Sequence, residues 1–284
     1  MCKFHLLWLM PLVALLASCT TSVKVATRSQ STPQRCDYTI KRDVVYTPAK
    51  WPEPIMGDLF QPRTSQPAPA VLLIHGGGWT GKDGRWQVEP IAKKLARRGY
   101  VVLNITYRLA PRWQFPAPLE DMQQAVKWLR EHAVEYGIDP TRIATFGYSA
   151  GGYLAAFGGL IEGPESFHIR AIVAGGAPSD LTFYPGGYLV PQFLGGTQRE
   201  IPRRFMEASP VNYVTPHSPP MFLYHATADR LVKPEHPLAM IQALKKNRVR
   251  HETYWIEGRG HVSAFLLPAA AVNEAVDFLD REMH

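Results

Sequence analysis

Cysteine is scarce. The chain of 284 residues has three, at positions 2, 19 and 36. Cys2 and Cys19 fall in an N-terminal leader-like stretch, so Cys36 is left alone in the remainder. Neither a disulfide framework nor a cysteine-based metal site can be assembled from that. His-Glu-x-x-His spacing is also missing, which speaks against a zinc-dependent hydrolase. Charged residues make up only 19% of the chain. The formal net charge of +7 is spread over separate pairs and short groups, such as Lys93-Lys94, Arg97-Arg98 and Arg203-Arg204. No dense basic tract with interleaved aromatics occurs, so these residues read as solvated helix faces rather than a nucleic-acid surface. Internal repeats are absent, and the 25 prolines and 22 glycines are scattered as loop punctuation.

What is present begins with an almost wholly apolar run, Leu6 to Ala17, preceded by Lys3. It is too short to cross a bilayer comfortably and fits the core of a signal peptide. Leu16-Ala17-Ser18-Cys19 resembles the bacterial lipobox, whose cysteine is lipidated and becomes the first mature residue. That resemblance implies a signal peptide over residues 1–18, lipidation at Cys19 and a membrane partner reached through the lipid anchor. Thr20, in place of Asp, implies the outer membrane of a bacterial envelope, facing the periplasm. An ordinary cleaved signal and an uncleaved anchor are the alternatives. The Ser-, Thr- and Gln-rich stretch that follows reads as a tether, residues 19–36, ahead of one domain over 37–284.

From residue 37 strand-like and helix-like segments alternate. Ala70–Gly76 is a continuous apolar run, as a strand buried on both faces of a parallel sheet would be, and Tyr100–Tyr107, Arg142–Gly147, the run from Ile169 and the run from Pro220 read as further strands. Between them, Val88–Gly99 and Leu119–Gly137 have helical spacing and stop at glycine. Asp139-Pro140-Thr141 reads as a turn. The pattern predicts an α/β fold, a mostly parallel central sheet with helices on both faces. Ligands of such sheets bind beyond the carboxyl ends of the strands, so chemistry is expected in the loops there.

One such loop is Gly147-Tyr148-Ser149-Ala150-Gly151, a G-x-S-x-G motif between a strand and a helix. Small residues let the helix pack onto the strand while the serine is lifted above the sheet on a strained backbone. Alone, the same glycines would equally serve helix-on-sheet packing. A second loop, His75-Gly76-Gly77-Gly78-Trp79, can turn backbone N–H groups inward, as a tetrahedral oxyanion requires. Gly77, Gly78 and Ala150 are assigned to that hole. Gly76 to Lys82 also fits the start of a phosphate-binding G-x-x-x-x-G-K loop, but Asp83 follows where a Ser or Thr magnesium ligand belongs. The serine needs a base, and the base an orienting carboxylate. Asp229 and His261 each follow a strand and give the chain order Ser, acid, His. Asp180 and Glu257 compete as acids; His217, His225, His236 and His251 compete as bases, with His225 and His251 reading as packing or surface residues.

These motifs, with Tyr107–Pro111 ("YRLAP"), Phe115–Leu129 and Pro219–Val232, resemble the α/β-hydrolase superfamily, and in it the bacterial feruloyl-esterase-type and hormone-sensitive-lipase-like carboxylesterases. The resemblance runs from about residue 38 to 282. It implies a serine carboxylesterase with Ser149, Asp229 and His261 as catalytic triad and no cofactor or metal. The acid loop departs from the family's "HG-x-x-D" by carrying Ala226. Arg108 and Asp121 are expected to pair structurally beneath the site. Trp79 and Tyr148 are candidates for the substrate pocket, and Leu181–Val214 for a short lid. The expected substrate is a small or short-acyl ester. An arylformamidase-like amidohydrolase and a non-catalytic lipoprotein on the same fold are the alternatives.

Overall fold

The computed structural model describes residues 36–161, 168–184, 186–268 and 270–284. The expected signal peptide, Cys19 and the tether up to residue 35 lie outside those residues. Residues from Gln34 to His284 form one unit.

Eight strands make one sheet. β1 (Tyr38–Val45) and β2 (Met56–Pro62) form an antiparallel edge, and β2 pairs antiparallel with β4 (Val101–Ile105). From β4 the order continues with β3 (Ala68–Ile74), β5 (Ile138–Tyr148), β6 (Ala171–Gly175), β7 (Met221–Ala226) and β8 (His251–Ile256), all parallel. β3, β4, β6 and β7 are buried at every position, which is why they read as unbroken apolar runs. Alternate residues feed two cores. Leu72, Ile74 and Leu103 face one, shared with α2 (Ala117–Glu131) and α4 (Ala150–Leu160). Val71, Leu73 and Val102 face the other, shared with α1 (Arg85–Arg97) and α9 (Ala271–Met283).

The chain leaves β3 for β4 on one side and crosses to β5 on the other. Loops after β3 and β5 therefore diverge, opening a crevice at the carboxyl ends of these central strands. The helix expected over Leu119–Gly137 is divided at His132 into α2 and the short α3 (Ala133–Tyr136), and ends at Gly137 with φ +64° as its glycine suggested. The turn expected at Asp139–Thr141 is absorbed into β5. The register shift lies there, and the Asp139 carboxylate accepts the Thr141 N–H. Two helices precede the β7 strand, α5 (Leu189–Leu194) and α6 (Pro202–Glu207); α7 (Glu235–Lys246) follows it. Arg108 and Asp121 form the expected pair at 2.8 Å, with Asp121 fully buried and Arg108 between the rings of Trp51 and Trp113.

Helix α4 reaches the sheet only because two glycines stand where it crosses. A Cβ on Gly147 would lie 2.2 Å from Gly151 backbone, and one on Gly151 2.1 Å from the Ile74 carbonyl oxygen. Gly151→Ala is expected to destabilise the protein by about 3 kcal/mol, because backbone rather than a side-chain tip must move. Gly186→Ala, with nothing within 4 Å of the new methyl, should stay within about 0.5 kcal/mol in the same urea titrations. His236, the second residue of α7, is buried against the Tyr184 ring at 4.8 Å. Burial, and then His225, lower its pKa from 6.5 to about 4. Between those values the unfolded chain binds the extra proton, so stability is complete above 6.5 and falls as pH drops towards 4. Urea midpoints should follow that trend, with a shallower slope in His236→Gln.

Candidate active site

Ser149 stands at the end of β5 and starts α4. Its backbone sits at φ +57°, ψ −124°, a region that a side-chain-bearing residue enters at a cost. Ser149 N–H donates to the Gly175 carbonyl, so the strained residue is still held by the β6 side of the ladder. The Oγ lies 2.8 Å from His261 Nε2, and His261 Nδ1 lies 2.6 Å from Asp229 Oδ2. The Asp229 Oδ1 accepts the N–H groups of Leu231 and Val232 at 2.9 and 2.8 Å. Burial pushes the Asp229 carboxyl up, but the hydrogen bond and charge of His261 and the Val232 N–H outweigh it, so its pKa is lowered. An ionised carboxylate only accepts. The proton therefore sits on His261 Nδ1, and Nε2 is left to accept from the Ser149 hydroxyl. Asp229 is 3% exposed and His261 9%, so water does not compete for the bond between them.

The second loop closes over this group. A Cβ on Gly76 would touch the Ser149 Cβ at 3.4 Å, which fixes the glycine loop against the strand-to-helix turn at Ser149. Gly77 and Gly78 adopt φ +114° and +63°. Among the described residues, the N–H groups of Gly77, Gly78 and Ala150 donate to no protein acceptor. All three residues line one cavity of ≈ 490 Å³ together with Ser149 and His261. His75 braces the loop from beneath. Its ring stacks on Tyr107 at 4.7 Å, and its nitrogens meet the Gly76 carbonyl at 2.6 Å and the Thr106 hydroxyl at 3.2 Å. Sequence reading took His75 only as the start of the glycine loop.

The far wall comes from the segment expected to be a lid. Tyr184, Tyr188, Leu189 and Val190 line the cavity, and Leu189 sits where a Gly78 side chain would go. Phe193 of the same segment is fully buried and stacks on Trp79 at 4.4 Å, so this aromatic is core rather than pocket. Trp79 and Tyr148 both line the cavity. Each also has a structural task. Trp79, at φ +61°, is buried between Phe193 and Tyr153. Tyr148 donates its hydroxyl to the His261 carbonyl at 2.8 Å. Val262 and Phe265 come from α8 (His261–Leu266), a helix in a stretch read from sequence as loop.

The competing residues are placed elsewhere. The Asp180 carboxylate accepts from Thr182 N–H and hydroxyl and caps the 3₁₀ turn at Leu181–Phe183. Glu257 accepts from the Thr227 hydroxyl at an exposed turn. His251 Nδ1 contacts the Val249 carbonyl at the opposite end of the sheet, and His217 is exposed. His225 is not a surface residue: it is 1% exposed and lies 3.6 Å from Asp229. Asp83 fills the start of α1, where a phosphate would sit, and accepts from the Arg85 N–H and side chain. No group of three His, Cys, Asp or Glu that could hold a metal ion occurs among the described residues.

Known proteins place this geometry. The chain is 29% identical over 196 residues to the probable carboxylic ester hydrolase LipM of Mycobacterium tuberculosis, a match covering 63% of this chain and 45% of LipM. It thus spans about half the length of the curated relatives it matches. Among solved structures, a truncated carbohydrate esterase from gut microbiota superposes with a TM-score of 0.78 at 21% identity, covering 89% of this chain and 98% of that one. Thermogutta terrifontis esterase 2 with butyrate bound gives a TM-score of 0.70 at 25% identity, covering 88% and 95%. The BD-FAE family profile matches residues 58–244, more than half of the chain. With its eight-stranded, mostly parallel sheet and the strand-to-helix turn at Ser149, the chain has the α/β-hydrolase fold and belongs to the BD-FAE family.

Proposed function

We propose that the protein is a serine carboxylesterase acting on small or short-acyl esters. The observation that carries this reading is the unbroken Ser149–His261–Asp229 hydrogen-bond chain at an apolar cavity. Ser149 Oγ attacks the ester carbonyl carbon as His261 Nε2 takes its proton. Gly77, Gly78 and Ala150 N–H groups receive the oxyanion. His261 then gives the proton to the departing alcohol, leaving an acyl-enzyme. Water repeats the two steps, with His261 again as base, and releases the acid and Ser149. Asp229 keeps the imidazole in the Nδ1–H tautomer and stabilises its cation.

The substrate class follows from the walls. Leu189, Val190, Val232 and Phe265 offer dispersion contacts and no charge, which suits an uncharged acyl or aryl group. The mouth continues that character, with Tyr188 66%, Val262 63% and Leu231 50% exposed. A butyrate-bound structural relative is consistent with a short acyl group. The sequence Leu16–Cys19 further supports lipidation of Cys19, and Thr20 after it supports attachment to the outer membrane, facing the periplasm.

Hydrolysis of p-nitrophenyl acetate, butyrate and octanoate tests the activity. Turnover should fall with acyl length and drop by a factor of about a thousand or more in Ser149→Ala. Equal rates in Ser149→Ala would remove the nucleophile assignment. Turnover of aryl formamides but of none of these esters would move the reading to an amidohydrolase. For the anchor, wild-type protein should fractionate with outer membranes and label with a palmitate analogue, and Cys19→Ala should do neither.

A further inference from the structure

His225 takes no part in the steps above, yet it touches the carboxylate on which they depend. It lies in β7, four residues before Asp229, and is 1% exposed. Its Nε2 is 2.8 Å from the Val232 carbonyl oxygen and 3.6 Å from Asp229 Oδ2, the oxygen that receives His261. A carbonyl can only accept, so His225 Nε2 carries the proton. The Trp255 ring of β8 meets the imidazole edge-on at 6.1 Å. Burial lowers the pKa of His225, which keeps it neutral beside the carboxylate.

Val232 is the connecting piece. Its N–H grips Asp229 Oδ1, its carbonyl is gripped by His225, and its side chain lines the cavity. Leu231 is held in the same way: its N–H goes to Asp229 Oδ1, and its carbonyl accepts the Tyr184 hydroxyl at 3.3 Å. The two peptides that orient the carboxylate are therefore fixed from behind, one by His225 and one by Tyr184. Release of the Val232 peptide would let the carboxylate rotate, and Oδ2 would leave the plane of the imidazole.

We propose that His225 is a positioning residue: through Val232 it sets the rotation of the Asp229 carboxylate and hence the strength of the Asp229–His261 hydrogen bond. This rests on the triad reading above. It differs from a packing role in what it predicts for a donor-retaining substitution.

His225→Gln places an amide N–H near the position of Nε2. His225→Leu keeps the bulk without the donor, and His225→Asn keeps an amide that stops short of Val232. Activity on p-nitrophenyl butyrate, its pH profile and the downfield proton resonance of His261 Nδ1–H would be measured on all three. The Leu and Asn variants should lose about 10-fold to 100-fold in kcat, with KM changed far less. Their acid limb should move to lower pH, because a misaligned carboxylate stabilises the imidazolium less, and the resonance should shift upfield or broaden. The Gln variant should recover most of each. Asn covers the case in which Leu does not fold. An unmoved resonance and acid limb in a folded Leu or Asn variant would overturn the proposal, as would a Gln variant as impaired as the others. The resonance needs no ester, so an inactive wild-type protein would count against the functional reading while leaving this one measurable.

Discussion

The structure depends on the close approach of α4 to the ends of β3 and β5. Two backbones meet at Gly147 and Gly151 with no room for a methyl group, and Gly76 brings the glycine loop to the same point. That approach holds Ser149 at a positive φ while its N–H stays on the ladder, aims the first free N–H groups of α4 at its side chain, and leaves the glycine loop facing the same space. The strain at Ser149 is not removed by the fold; it is held in place by two cores that bury β3, β4, β6 and β7 at every position.

Charge is handled by enclosure. Asp229 is buried with a partner for each oxygen: two backbone N–H groups on Oδ1, and the His261 ring on Oδ2. An ionised carboxylate in such a place is tolerable because both of its oxygens are hydrogen-bonded. Arg108 and Asp121 solve the same problem away from the chemistry, with Trp51 Nε1 and the Arg108 N–H completing the shell around Asp121. One carboxylate serves the site and the other serves the loop after β4, although their burial is alike.

Much of this was legible in the sequence, for identifiable reasons. Strands buried on both faces leave unbroken apolar runs, so β3 through β7 could be placed, and the glycines at 147 and 151 mark a contact only glycine allows. Ser149, Asp229 and His261 could be singled out because each follows a parallel strand and so falls at the same edge of the sheet. What escaped reading was set by tertiary contact. Phe193 and Tyr188 look alike in sequence, yet one is core against Trp79 and the other is two-thirds exposed at the cavity mouth. The break at His132 and the strand-like backbone at Pro140 depend on neighbours that local spacing does not show. His225 read as a packing or surface residue because alternation along a strand does not show its partner in the loop beyond.

The hydrogen bond from Ser149 N–H to the Gly175 carbonyl has a consequence for how the protein fails. The Ser149 amide belongs to the same cooperative ladder as the centre of the sheet, so no local fraying frees it. Exchange of that amide with solvent requires β5 and β6 to separate, the event that ends the fold itself. Loss of the Ser149 geometry on heating is then one transition with global unfolding rather than an earlier, local melting. Any looseness that substrate entry demands must come from the opposite wall of the cavity.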